Sequence, residues 1–355
     1  MISWGGDILQ KCSREYLIAF NMVEGFGPRR LKALISHFGT LEKAWSSSYL
    51  ELIKVPGLGP KLAAQLVESR NHIDPAQETA WARKHAARIV TWDDNEYPAW
   101  LHNLADPPPV LYYRGTLPER MGIAIIGSRK ATQTGKTQAY SFAARLAERG
   151  LPIISGLARG IDTQAHRGAL TADNGYTAAV MGTPINVIYP PENRELAEKI
   201  AQSGCLITEF PSTSRTKPNH FPRRNRLIAA LSRGILVVEA GLKSGTLSTV
   251  DAGLEIGRDV WAIPGDISQP LRQGTHALIK QGAGLVDCPE DILNSIPELG
   301  GEIEKRLDHS TKTVLKYYLQ GCSPEKISAL TGLPVRQIQH IMTMLELDGL
   351  LEDTI

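Results

Sequence analysis

The chain has 355 residues, 42% of them hydrophobic, and 39 Lys and Arg against 37 Asp and Glu give a formal net charge of +2. That is long and apolar enough for two or three domains. The four cysteines, Cys12, Cys205, Cys288 and Cys322, lie far apart with no Cys-x-x-Cys spacing, which excludes a zinc site or a disulfide framework and fits a reducing cytosol. The first twenty residues hold charges around only a short Leu17–Phe20 apolar run, and no stretch reaches membrane-spanning length, so a soluble cytoplasmic protein with no membrane partner is expected.

Residues 16–72 read as short helices punctuated by two related loops, Gly25-Phe-Gly27-Pro-Arg-Arg-Leu31 and Gly57-Leu-Gly59-Pro-Lys-Leu-Ala63. In each, a glycine pair permits a tight turn and the next residues open a helix whose N–H groups are free to meet an anion. This tandem helix-hairpin-helix pattern either contacts a nucleic-acid backbone, through Arg29, Arg30 and Lys61, or only packs a small helical domain. The domain is placed at residues 1–75.

A helical stretch from Ala76 to Ala87, a strand-like Arg88–Trp92 and a proline-rich connector, Asp106–Arg114, follow. From Gly122 the pattern becomes apolar runs alternating with helical segments. The runs are Ile123–Ile126, Pro152–Ile154, Tyr176–Met181, Asn186–Tyr189, Leu206–Thr208, Ile235–Val238 and Val260–Ile263. Short β-rich runs between amphipathic helices predict an α/β, Rossmann-like, mainly parallel sheet within residues 76–290. Residues 291–308 read as a linker. Helices are expected over Thr311–Gln320, Pro324–Thr331 and Pro334–Asp348, the last two started by a proline whose missing N–H costs nothing there. With Gly349–Glu352 after them, residues 309–355 resemble a winged helix, open to a DNA or a protein partner.

Between Glu209 and Glu239 there is no acidic residue, yet Arg215, Lys217, Arg223, Arg224, Arg226 and Arg233 occur there. A net charge of +2 that includes +6 here leaves −4 elsewhere, so positive charge is concentrated beside the 235–238 strand, as on a surface that receives phosphates. Three turns follow predicted strands: Gly127-Ser128-Arg129, Ser155-Gly156-Leu-Ala-Arg159-Gly160-Ile-Asp162 and Lys243-Ser244-Gly245. In a doubly wound sheet such turns converge on one crevice, where helix N-termini and small hydroxyls cradle anions. His220 and Phe221 beside the arginines offer a stacking surface for an unpaired base, the alternative being that Phe221 is simply core. Successive helical residues are rotated by roughly 100°, so Arg223, Arg224, Asn225 and Arg226 cannot all face one ligand. Arg224 and Asn225 are placed nearest the pocket, and Arg223 and Arg226 are counted with them as phosphate-binding, a structural role being the alternative for Arg226.

Two enzyme motifs fail. Gly135-Lys136-Thr137 resembles the end of a nucleotide-triphosphate loop, but the glycine needed five residues earlier is Lys130, and no Gly-x-Gly-x-x-Gly run is present. No cofactor, metal or catalytic residue is expected. Asp162, Glu209, Glu239 and Asp251 lie near the turns, where each suits orienting an arginine or capping a helix as well as it suits moving a proton.

Taken together, Gly127–Arg129, Ser155–Asp162, Ile188-Tyr-Pro-Pro-Glu-Asn193, Phe221–Ile228, Val237–Ala240 with Ser244-Gly245, and Ala262-Ile-Pro-Gly265 resemble the DNA-processing protein A family, also called DprA or Smf. The resemblance covers at least residues 90–286. It implies single-stranded DNA binding, a homodimer formed through the Rossmann-like domain, and loading of RecA onto incoming strands during natural transformation. It also implies that the Gly-Ser-Arg turn and the facing arginines line the DNA pocket. The chain departs from the family pattern at Gly182–Asn186 and at Thr246–Asp251. The competing expectation is a nucleotide-processing hydrolase with a similar glycine-rich pocket, for which Glu239 or Asp251 would supply the carboxylate. Ala277–Ile279 offers either a dimer face or an ordinary buried helix.

Overall fold

The computed structural model describes residues 13–296, 309–319 and 322–347. It divides into two compact units, Met1–Val286 and Asp287–Ile355. The first opens with five short helices, Arg14–Asn21, Pro28–Phe38, Leu41–Ser46, Tyr49–Leu52 and Pro60–Ser69. Proline at the first position starts the second and fifth, and the Thr40 and Ser48 side chains accept N–H groups at the starts of the third and fourth, so local sequence sets where each begins. Phe20 is fully buried at their centre, against Phe26 and Trp45 with ring centroids 5.5 and 5.1 Å away. Arg30 donates from Nη1 to the Gly25 carbonyl at 2.5 Å and from Nε to the Gly57 carbonyl at 3.2 Å. It staples the two hairpin loops together, which takes one expected phosphate contact into the fold. Arg29 and Lys61 stay exposed.

A sixth helix, Pro75–Lys84, leads into a nine-stranded sheet. Its strands are β1 (Arg88–Thr91), β2 (Val110–Gly115), β3 (Gly122–Ile126), β4 (Ile153–Ser155), β5 (Thr177–Val180), β6 (Cys205–Thr208), β7 (Ser232–Val237), β8 (Asp259–Ala262) and β9 (Gly284–Leu285). They lie in the order β1-β2-β6-β5-β4-β3-β7-β8-β9. The pairs from β6 to β9 are parallel, and β1–β2 and β2–β6 are antiparallel. Successive β3 residues Ile123, Ala124 and Ile125 are all fully buried, so both faces of the sheet centre are covered, as a parallel sheet requires.

The winding gives the sheet its function-bearing point. From β3 the chain steps outward through β4, β5 and β6, then returns to place β7 on the other side of β3. Where the order reverses, the loops after β3 and β7 part and leave a crevice beyond the strands' carboxyl ends.

Three elements depart from the sequence expectation. Asn186–Tyr189 is no strand: Pro184 opens a turn in which the Val187 N–H meets the Pro184 carbonyl at 2.9 Å and Thr183 donates its hydroxyl to the Val187 carbonyl. The proline-rich connector instead ends in β2, a full sheet member, because its prolines stop at Pro109, before the ladder begins. The segment read as a linker starts within a helix, Pro289–Asn294, where the Asp291 carboxylate accepts the N–H groups of Asp287 and Cys288.

The helical module and the sheet share one apolar core, from Leu17 and Leu66 to Leu111 and Leu206. Their polar seam is specific. Glu78, 2% exposed, accepts the Ser212 N–H at 2.9 Å and its hydroxyl, Asn21 donates to the Glu209 carbonyl, and Lys217 pairs with Glu24 at 2.6 Å.

In the second unit the helices His309–Leu319, Pro324–Thr331 and Val335–Leu347 surround fully buried Val314, Ile327 and Ile338. The expected wing, Gly349–Glu352, and linker residues 297–308 lie outside the described residues. Among the described residues no helix is long and apolar enough to cross a membrane. Ile125→Ala in the buried centre of β3 should cost about 2–5 kcal/mol. Chemical denaturation followed by circular dichroism checks this, and an unshifted transition would contradict the central placement of β3.

Candidate nucleic-acid interface

The crevice at the β3–β7 reversal has a volume of about 420 Å³ and is lined by Gly127, Ser128, Arg129 and Lys130 from the loop after β3, by Ser244, Gly245 and Thr246 from the loop after β7, and by Phe221, Arg224 and Asn225. The last three belong to the helix His220–Ala230. A shallow recess of about 20 Å³ lies beyond Phe221, between Arg159, Tyr189, Pro190 and Gly156. The predicted turns therefore do converge.

The residues within each turn play different parts. Ser128 donates its N–H to the Glu239 carbonyl at 2.7 Å, which sets the loop after β3, and Arg129 and Lys130 beyond it are exposed. The Arg129 guanidinium lies 5.5 Å above the Phe221 ring, and that ring is 5.4 Å from Tyr189. Cation and aromatic faces thus meet at one rim, the combination that holds a strand by phosphate contact and base stacking. Ser155 is buried and donates to the Ile125 carbonyl, joining β4 to β3. Gly160 has φ +79°, and a Cβ there would sit 2.2 Å from the Ser128 carbonyl oxygen. Glycine allows the two loops to touch.

The anion cradle expected at Ser155–Asp162 is filled from within. Asp162 accepts the N–H groups of Gly156 at 3.1 Å and Ala158 at 3.3 Å. Burial raises the Asp162 carboxyl above its usual range, and the Arg224 charge and these two N–H groups oppose that rise. Arg224 is 4% exposed and donates from Nη1 to the Gly156 carbonyl at 2.7 Å and to the Val180 carbonyl. Burial pushes its guanidinium down to about 10, against the favourable Asp162 charge. It forms the floor of the crevice and ties β4 to β5.

Helical rotation sorts the remaining arginines. Arg223 and Arg226 both reach the buried Glu209 carboxylate, at 2.7 and 2.6 Å, and Arg226 also donates to the Asp106 carbonyl. Asn225 stays at the crevice, donating to Ser248 at 2.8 Å. His220 turns away and stacks on Phe210 at 4.1 Å, so Phe221 alone of that pair faces the crevice. Arg159 is exposed on the recess rim and paired to Glu192. Lys243 is exposed beside Ser244, in the loop after β7.

Lys130, Tyr189 and Thr246 also line these spaces, and nothing in the sequence pattern singles them out as ligand-facing. Lys130 stands out in the sequence only as the residue that breaks a nucleotide loop. Tyr189 belongs to a run that resembles a strand.

A family model of the DNA recombination-mediator protein A matches residues 88–297, and one of a SAM-like helix-hairpin-helix tandem matches residues 17–71. The chain belongs to the DNA recombination-mediator protein A family. Among the family's members, Protein Smf of Synechocystis is 39% identical over 287 residues, 79% of this chain and 72% of that protein. The crystal structure of DNA processing protein A from Streptococcus pneumoniae matches with a TM-score of 0.68 at 32% identity, covering 80% of this chain and 98% of that one. The Helicobacter pylori protein, described for its single-stranded DNA binding mode, matches with a TM-score of 0.53 at 28% identity over 60% of this chain and 96% of that one.

The recess depends on a buried histidine. Leu157, at φ +58°, is held in that backbone conformation from both sides: its N–H donates to His166 Nε2 at 3.3 Å and its carbonyl accepts from Asn193 at 2.9 Å. The other His166 nitrogen meets the Thr177 hydroxyl at 2.7 Å. Burial, helped by the Arg224 charge, drives the imidazole from its usual 6.5 down to about 3. Its folded-state pKa is depressed, so below pH 6.5 the unfolded chain takes up the proton first and stability falls as pH drops toward 3. The expected loss from this group is about 1.4 kcal/mol per pH unit. Urea titrations between about pH 6 and pH 4 should be steeper in pH for the wild type than for His166→Gln; equal pH dependence would contradict a buried neutral imidazole.

Proposed function

We propose that the crevice binds single-stranded DNA along its backbone, and that the protein hands the strand to RecA during DNA uptake and recombination, as a cytoplasmic homodimer without a cofactor. The observation that carries this is the rim itself. Two exposed cations, Arg129 and Lys130, stand beside the Phe221 and Tyr189 rings at the reversal point of the sheet. A crevice of this kind suits a flexible strand whose bases turn inward, and a rigid duplex presents only its outer phosphates to it. Membership of the family and the single-strand binding described for the H. pylori relative support the same reading. The homodimer rests on the family resemblance, with exposed Leu285 on the edge strand β9 as apolar surface for it.

The nucleotide-hydrolase reading needs a carboxylate positioned at the ligand's sugar, and the two candidates are placed otherwise. Glu239 is 1% exposed, accepts the Thr132 N–H and hydroxyl, and lies 3.5 Å from Arg272. Asp251 is exposed and lies outside the crevice lining. Asp162, the acid that does line it, is committed to two backbone N–H groups.

Arg129→Glu with Lys130→Glu tests the assignment without touching buried groups. Single-strand affinity should fall, and the slope of log affinity against log salt should flatten by about 0.7 for each phosphate no longer neutralised. The same variant should lose stimulation of RecA assembly on single strands. A folded double variant with unchanged affinity and slope would sink the crevice as the binding site.

A further inference from the structure

Several basic side chains near the crevice are held by carboxylates, and these pairs differ in how readily they can open. Arg223 and Arg226 share Glu209, whose side chain is 1% exposed. Releasing either arginine would weaken the compensation of a buried negative charge, so both are fixed parts of the fold. Lys217 pairs with Glu24 in the open, outside the crevice lining. Arg159 is different. Its guanidinium lines the recess, and it meets the two oxygens of Glu192 through Nε and Nη2, the latter at 3.0 Å. Both side chains are about half exposed, at 52% and 51%. Water already solvates this pair, so opening it exposes no buried charge and costs little.

The positions of the two partners are set separately. Arg159 follows β4 in the loop held by Asp162 and His166. Glu192 lies in the short helical turn Pro191–Asn193, and the next residue, Asn193, is buried and donates to the Leu157 carbonyl and the Thr163 hydroxyl. Both ends of the pair therefore stand on braced backbone at the same recess. Glu192 keeps the Arg159 charge in place and neutralised while the recess is empty.

We propose that Glu192 sets the affinity and salt dependence of the crevice by competing with an incoming DNA phosphate for the Arg159 guanidinium. A phosphate presents to Nε and Nη2 the same kind of two-oxygen edge that the carboxylate presents, so the guanidinium changes partner without changing rotamer. Because the exchange releases a carboxylate as it gains a phosphate, the wild-type pair adds little net counterion release. Glu192 is thus a selectivity residue: a strand must bring a phosphate into the recess itself to displace it, which an unpaired, flexible backbone does and a duplex lying across the rim does not.

This inference rests on the single-strand reading of the crevice, and the experiment separates the two. Binding of a dye-labelled oligothymidylate by the full-length wild type, Glu192→Gln, Arg159→Ala and the double variant is followed by fluorescence anisotropy across a sodium chloride series, with a duplex of the same length in parallel. Glu192 is exposed, so its replacement leaves the folded state intact, with an unchanged melting curve as the check. Glu192→Gln should bind the single strand several-fold more tightly at low salt, with a slope steeper by about 0.7, and should bind duplex relatively better than the wild type does. In the Arg159→Ala background the Glu192→Gln steepening should vanish. Equal affinity and slope for wild type and Glu192→Gln would overturn the competition, and so would an undiminished gain in the Arg159→Ala background, which would reveal only a change in overall charge. A wild type that fails to bind the single strand at all would instead overturn the reading of the crevice, and this inference with it.

Discussion

The crevice rests on two charged groups almost wholly buried at its floor. Asp162 and Arg224 are both buried beneath the Gly156 loop and act on each other electrostatically. Each also satisfies backbone groups, Asp162 two N–H donors and Arg224 two carbonyls. Burying either charge alone would be prohibitive, and together with their hydrogen bonds they make a polar joint that admits one arrangement of β4, β5 and the His220–Ala230 helix. His166 and Asn193 extend that joint to Leu157. The exposed residues at the rim, Arg129, Lys130 and Arg159, are therefore mounted on loops whose backbone is already fixed. Such preorganisation spares a ligand the cost of ordering them.

Much of this was legible in the sequence because parallel sheets leave strong local marks. The apolar runs at Ile123–Ile126, Leu206–Thr208 and Ile235–Val238 became β3, β6 and β7, and the glycine turns after β3 and β7 fell at one end of the sheet. The rotation of a helix brought Arg224 and Asn225 to the crevice as expected, but Arg223 and Arg226, expected to bind phosphate with them, are held instead by Glu209. What misled was composition read without geometry. Asn186–Tyr189 is apolar enough for a strand, yet the turn started by Pro184 decides its path. Asp106–Arg114 looked like a proline linker, yet its Tyr112 and Tyr113 pair with strands on both sides.

The charge pattern was the harder lesson. The stretch between Glu209 and Glu239 has no acid of its own, but it is not free of acids in space, because its neighbours come from elsewhere in the chain. Glu24 arrives from the first helical hairpin, Glu209 from the end of β6 and Asp162 from the start of the helix Ile161–Ala169. Sequence periodicity carries no information about such long-range partners. The positive face is consequently smaller than the string of arginines implies, and it centres on Arg129 and Lys130, which lie outside that string.

The seam between the helical module and the sheet has a consequence for how the protein can be divided. Ser212 gives both its N–H and its hydroxyl to Glu78, Lys217 is held by Glu24, and the Glu209 carbonyl accepts from Asn21. These residues belong to the segment that leads from β6 into the His220–Ala230 helix, the wall of the crevice. A fragment beginning after the fifth helix would keep every lining residue, yet it would be without the Glu24 and Asn21 partners that brace that wall from outside. The module is a structural part of the crevice even though none of its described side chains lines it, and a cut placed where the composition changes would fall inside one mechanical unit.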